Sequence, residues 1–309
     1  MDCRQWFALA LLAPCLSLAQ TSDPGSASRC ATRLSVAFLG TSPTSTLMQS
    51  VDPKSQVDSL LVDPAFYERF ARFINATFNS APSSIPEQDA AYWLTKVILT
   101  NDRPWKDLFE GPYRVDPPNA SGGDPQVVSD SNGLGYFRST PWQIEYEGNE
   151  PAGYKLRTAY RIMNNTIGLH LIPATNAPGV DISATGRQQP QCAGCHYDSV
   201  YALDKIARVL TVRQGTGSNT TFLPPDPAQI PQTVLGGVVI HDDADLVHAL
   251  IASPSFSFRA CRLGFLFLYG RAEYTTEASV FDACVDAFNA DGRIQAALKS
   301  IVSNKSFCQ

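Results

Sequence analysis

A mainly α-helical fold with a few short strands is what this sequence predicts, and two patterns carry the expectation. Between Pro64 and Phe78, the residues Phe66, Phe70, Phe73, Ile74 and Phe78 recur at three- and four-residue intervals, the period of one helix face. From residue 243 to 303 four further stretches are each amphipathic or apolar: Ala244 to Ile251, Phe256 to Tyr269, Thr276 to Phe288 and Ile294 to Val302. Segments containing Pro or Gly separate them.

The first residues have the layout of an export signal. Arg4 precedes an apolar run from Trp6 to Leu12 that continues to Leu18, and Ser17-Leu18-Ala19 is a suitable cleavage site. A lipid anchor on Cys15 is the alternative, although Leu12-Ala13-Pro14 makes a poor processing site. No later stretch approaches the ~18 to 20 consecutive apolar residues that span a bilayer. The expectation is a signal peptide over residues 1–19 and a soluble mature protein outside the cytoplasm, periplasmic or secreted.

Removing residues 1–19 leaves 290 of the 309 and does not change the net charge of -5, because Asp2 and Arg4 cancel. The charges are few and of mixed sign. Nothing in them points to nucleic acid or an anionic membrane as a partner.

Residues 20–155 form a first, helical and irregular region. It opens with a Ser-, Thr-, Pro- and Gly-rich segment to about residue 55, in which Leu34 to Leu39 alternates like a strand. The Pro64 to Phe78 helix follows, with Asp63 as cap and Pro64 in its first turn. Further helices are expected from Pro86 to about Thr100 and from Pro104 to Phe109. From Gly111 to Gly153 periodicity is lost, apart from a strand-like Trp142 to Tyr146. Asp124, Asp130 and Asn132 lie beside glycines there, but they lack EF-hand spacing and read as a solvated loop.

Residues 156–309 form a second, helical region. Leu156 to about Leu169 is helical, and helical spacing returns through Ala202, Ile206, Val209 and Leu210. A Pro-rich loop, Leu223 to Pro231, leads to a strand-like run from Val234 to Ile240. The four-helix tail closes the chain.

The strong chemical signature is Cys192-Ala193-Gly194-Cys195-His196. Two thiols separated by two residues share one turn of backbone, so both can add to the vinyl groups of one haem, and the next imidazole can ligate its iron. Small Ala193 and Gly194 would leave room for the porphyrin edge. A zinc half-site would want a second Cys or His pair at ligand spacing. A thioredoxin-like dithiol would follow a strand, whereas Gln188 to Gln191 reads as a loop. The cofactor expected is therefore one covalent haem c, bound by Cys192 and Cys195 and ligated by His196.

The ligand opposite His196 is open. No Met follows the motif, and only Met48 and Met163 remain besides the initiator. Met163, on the helix before the motif, is the first choice, with core filling as its ordinary role. His170 is the alternative, and an unfilled position is a third. His241 and His248, seven residues apart, could pair on a metal or simply sit in a solvated helix start. Arg187 and Lys205 could meet haem propionates or face solvent.

Four cysteines remain outside the motif and the signal: Cys30, Cys261, Cys284 and Cys308. Phe256 to Tyr269 and Thr276 to Phe288 should form an antiparallel hairpin about Gly270 to Thr275. Cys261 and Cys284 are equidistant from its turn, which predicts that they pair. Cys30 and Cys308 are then left to tie the chain ends.

From Leu156 onward the chain resembles an uncharacterised planctomycete-type cytochrome-c-like family. The resemblance rests on the C-A-G-C-H motif at Cys192 to His196, on Tyr269-Gly270-Arg271, and on Ile301-Val302-Ser303 with Phe307 at the end. Ala244 to Ile251 with Ser253 to Phe256, and more weakly Asp102-Arg103-Pro104, also match. The chain departs after the motif, where Tyr197-Asp198-Ser199-Val200-Tyr201 replaces the family's usual I-D-P-L-G. The resemblance implies an exported haem protein and no particular reaction.

The function expected is electron transfer by an exported monohaem c-type cytochrome, with other redox proteins as partners. An alternative is a peroxidase- or oxidase-like haem enzyme with an open iron position and a small-molecule substrate. A module in which haem only staples the fold is a further one.

Overall fold

Helix α1, Pro24–Leu39, begins the described part of the chain in the computed structural model. That model describes residues 24–79, 82, 89–118, 123–146, 154–171, 179–215 and 221–309. The export signal, with Cys3 and Cys15, lies outside the described residues, as does the expected helix start at Pro86.

Cys30, Ala31, Leu34 and Phe38 of α1 are buried at helical spacing. The strand expected over Leu34 to Leu39 is thus the end of a helix. Val36, which completed the alternating pattern, is 48% exposed, while Leu34 and Phe38 share one buried face as an i,i+4 pair. Short helices α2, Ser45–Met48, and α3, Val57–Leu61, follow.

Helix α4, Pro64–Phe78, has the predicted bounds. Its cap is the Asp63 carboxylate, which accepts the Ala65 N–H at 2.8 Å. Phe66, Phe70, Ile74 and Phe78 are all fully buried. Helices α5, Ala90–Thr100, and α6, Asp107–Glu110, complete the next layer.

Two strands, β1 Tyr113–Asp116 and β2 Gln126–Ser129, pair antiparallel in the stretch where the sequence lost its periodicity. Helix α7, Thr140–Tyr146, stands where a strand was expected. Its alternating pattern misleads, because Trp142 and Tyr146 are buried four residues apart with ring centroids at 5.1 Å while Ile144 faces solvent.

Helix α8, Tyr154–Ile167, is followed by the motif region, with α9, Pro190–Ala193, and α10, Leu203–Val209. Antiparallel β3, Val212–Gln214, and β4, Thr221–Leu223, come next. The expected run from Val234 to Ile240 is a hairpin: β5, Gln232–Val234, and β6, Val238–Ile240, turn through Gly236 and Gly237, both at positive φ.

The tail contains α11, Asp243–Ile251, α12, Pro254–Tyr269, α13, Ala278–Asp291, and α14, Ile294–Ser303. The fold is mainly helical, with short two-stranded sheets. Among the described residues, no helix is long and apolar enough to cross a membrane.

One apolar cluster runs from Cys30 to Phe307, so both sequence regions share a core. Phe267 of α12 packs against N-terminal rings of this cluster, with ring centroids 6.5 Å from Phe38, 6.1 Å from Phe66, 5.0 Å from Phe70 and 5.3 Å from Phe73. Both predicted cysteine pairs are joined. Cys261 bridges to Cys284 across α12 and α13 with Cα atoms 6.0 Å apart, and Cys30 bridges to Cys308 at 4.7 Å.

Two consequences are measurable. Phe267→Ala removes the ring that four N-terminal rings pack against, and it should cost about 3–5 kcal/mol in chemical denaturation. At the α12–α13 turn, two hydrogen bonds from Arg271 hold the Glu277 carboxyl down to about 2. Because the folded value lies below the unfolded one, the stabilisation is present above the ordinary carboxylate range and is lost as pH falls toward that value. Stability measured against pH should therefore fall less steeply below about pH 5 in Glu277→Gln than in the wild type.

Candidate functional site

The motif is carried by a short helical passage rather than the loop expected before it. A 3-10 turn, Gly186–Gln188, leads to α9, where Pro190 occupies the first turn and the Gln189 carbonyl accepts from Cys192 and Ala193 N–H at 2.9 and 2.8 Å. The helix widens at once into a π turn, Gly194–Asp198, that contains Cys195 and His196. No strand leads into the motif, so the setting of a thioredoxin-like dithiol is absent among the described residues.

Cys192 and Cys195, three apart on a helical passage, share a face; the first is partly exposed and the second exposed. Neither is in a disulfide, whereas Cys30, Cys261, Cys284 and Cys308 all are. The two small residues between them have different surroundings. Ala193 is buried against the protein, and a side chain at Gly194 would meet open space.

His196 points its Nδ1 at Asp204, 2.7 Å from Oδ2. That carboxylate is the centre of a closed polar cluster. Arg187 donates from Nη2 to Oδ1 at 2.8 Å and from Nε to both oxygens at 3.1 Å, and the Tyr197 hydroxyl donates to Oδ1 at 3.2 Å. The side chains of Asp204, Arg187 and His196 are only 8%, 11% and 16% exposed. In this low-dielectric setting the carboxylate holds the Arg187 guanidinium above its already high usual value.

Local backbone features place these groups. Arg187 is positioned by the turn before it, where a Cβ on Gly186 would collide with the Asp181 carbonyl, and its Nη1 donates to the Ile182 carbonyl at 2.6 Å. Asp204 is positioned by the link after the motif. Ala202 is buried in the left-handed region at φ 39°, a conformation costing about 1–2 kcal/mol for a residue with a Cβ. The Ser199 hydroxyl accepts the N–H groups of Tyr201 and Ala202 at 3.1 Å each, and the Val200 carbonyl accepts the Leu235 N–H of the β5–β6 turn at 2.8 Å. These bonds hold the bend that returns α10, and Asp204 in its first turn, onto His196.

With Nδ1 engaged by the Asp204 carboxyl, Nε2 has no partner among the described residues. In the neutral ring that atom carries the lone pair a metal would take.

The other candidates lie elsewhere. Met163 is fully buried on α8, within the apolar core. His170 is exposed beyond the end of that helix. His241 precedes α11 and bonds Asp245 at 2.9 Å, while His248 faces Glu110 at 3.6 Å, so each has its own carboxylate. Asp130 is engaged by Arg114 at 2.8 Å and by the Asn132 N–H at 2.9 Å. Arg187, considered from sequence as a propionate partner, is committed to Asp204, and Lys205 is partly exposed. Among the described residues, no three His, Cys, Asp or Glu side chains are grouped as they would be around a bound metal ion.

Sequence reasoning missed Asp204 and Tyr197. A signal for Asp204 did exist: on a helix containing Leu203, Ile206 and Ala207, it falls three residues before Ala207, at the edge of the apolar face. A carboxylate there needs partners. No protein-family model, curated protein or solved structure matches the chain.

The polar cluster can be checked without a ligand. Asp204→Leu leaves the Arg187 charge buried and unpaired, and it should cost about 3–5 kcal/mol in chemical denaturation. Arg187→Leu combined with Asp204→Leu should cost clearly less than the sum of the two single changes. Additive costs would show that the pair is not coupled.

Proposed function

We propose that the chain is an exported c-type cytochrome that holds one haem through Cys192 and Cys195, with His196 on the iron, and that it passes single electrons between redox partner proteins. One observation carries this reading. Of the six cysteines in the described residues, four are tied in disulfides, and the two left as thiols are those followed directly by a histidine with an unengaged Nε2.

The donor set fits the group. Cys192 and Cys195 would hold the porphyrin edge as thioethers, with each S–H added across one vinyl double bond, and His196 would supply the axial nitrogen. Haem, when bound, supplies a one-electron iron couple. Asp204, Arg187 and Tyr197 hold the imidazole. The export-signal layout of the first residues agrees, because an oxidising compartment also suits the two disulfides.

Met163 favours a second reading. Its thioether is packed in the core, and an iron without it would have room for a small molecule, as in a haem enzyme.

The chain should be expressed with its own leader in a bacterium able to attach haem c. The exported protein is expected to carry one haem that survives denaturing electrophoresis. Cys192→Ser with Cys195→Ser should abolish this retention. Exported wild-type protein free of haem would overturn the proposal. Carbon monoxide binding by the reduced protein would favour the enzyme over the carrier.

A further inference from the structure

We infer that Asp204 is a positioning residue for His196: it fixes the imidazole as the Nδ1–H tautomer and so leaves Nε2 as the nitrogen able to ligate. The inference rests on the haem reading above and adds a residue to it.

The geometry is specific. The 2.7 Å contact is short for a nitrogen donor and lies in the range of charge-assisted bonds. A carboxylate in this place does more than a backbone carbonyl could, because its negative charge draws the Nδ1 proton and pushes electron density to the far side of the ring. Such density stabilises the oxidised iron more than the reduced one, so Asp204 lowers the reduction potential.

Arg187 and Tyr197 decide how strongly. Together they place three N–H···O contacts and one O–H···O contact on the same carboxylate. These bonds prevent rotation of the Asp204 side chain, and the Arg187 charge offsets part of its pull. Asp204 is buried and lies in the first turn of α10, so its position is set by the packing of α10 against the core rather than by solvent.

Three measurements test this. First, the midpoint potential of Asp204→Asn, with haem content recorded, should rise by at least the equivalent of tenfold in the reduction equilibrium, which is 59 mV for one electron. Second, in Asp204→Asn with Arg187→Gln the two charge changes cancel, so a purely long-range charge effect predicts a return to the wild-type potential. Loss of the negatively charged acceptor on His196 predicts that the potential stays raised, and a return to the wild-type value overturns the inference. Third, nitrogen NMR of the full wild-type chain prepared without haem, at alkaline pH, should show His196 protonated at Nδ1. This last result needs no variant to fold, and protonation at Nε2 instead overturns the inference. Haem retained with an unshifted potential in Asp204→Asn defeats the inference alone, whereas a wild type that never takes haem defeats the haem reading and the inference with it.

Discussion

The packing of Phe267 against Phe38, Phe66, Phe70 and Phe73 is the contact on which the rest of the fold depends. It joins α12 to α1 and α4, elements about two hundred residues away in the chain, and so makes one core of two sequence regions. Such contacts are entropically expensive to close. The molecule offsets that cost near the chain ends. Cys30 and Cys308 are bridged, Arg33 lies 4.8 Å from the Phe307 ring centre and 5.2 Å from that of Tyr269, and its guanidinium donates to the Gln309 carbonyl. In chain-entropy accounts, a loop as long as the one between Cys30 and Cys308 limits the unfolded chain by roughly 5 kcal/mol. The covalent tie and the aromatic centre therefore act on the same step, the meeting of the two ends.

The motif stands apart from that centre and is ordered by other means. Its thiols face solvent, and few of its own residues are buried. What fixes it is a link to the core through α10: Leu203, Ile206 and Val209 are buried, and Asp204 in the same helix reaches out to His196 and Arg187. Apolar packing places the carboxylate, and the carboxylate places the imidazole. A buried ion pair is a poor source of net stability, because desolvation consumes most of the attraction. Its contribution here is orientation. A ring held only by apolar contacts could turn about χ2, which puts Cδ2 where Nδ1 stood and Cε1 where Nε2 stood, and the Asp204 contact removes that freedom.

Much of this was legible in the residues, for a physical reason that also explains the failures. An unbroken apolar stripe makes α4 legible to the residue and the four tail helices with it, whereas the 16-residue α1 lies in a Ser-, Thr-, Pro- and Gly-rich segment whose composition hides it. Over five or six residues the periods of two and 3.6 overlap, and Leu34 to Leu39 and Trp142 to Tyr146 were read as strands. Their helical partners, Cys30 and Ala31 in one case and the i,i+4 pair Trp142 and Tyr146 in the other, decide the matter only over a longer view. Strands β1 and β2 pair with each other although nine residues of sequence separate them, and strand pairing leaves no local period. The Cys261–Cys284 bridge was legible because two helices about one turn obey simple arithmetic, and Cys30–Cys308 followed as the remainder. At the motif, Cys192, Cys195 and His196 announce themselves by spacing. Asp204 does not, because its partners lie 17, eight and seven residues before it, and only the bend at Ala202 brings them together.

The same balance of packing and polarity bears on which further residue could ligate the proposed haem. Met163 fills the core completely, so ligation by its sulfur would withdraw a buried side chain from packed surroundings. Removing a Met side chain from a core costs about 2–5 kcal/mol, a fair bound on that withdrawal. His170 carries no such cost, being exposed beyond α8, and an unfilled position costs nothing in packing at all. A strong thioether bond could still repay the Met163 penalty, but it must do so before it contributes any net stability. The comparison therefore weighs against the thioether as a further ligand of the proposed haem, and it leaves His196 as the candidate ligand whose ring the structure itself holds in place.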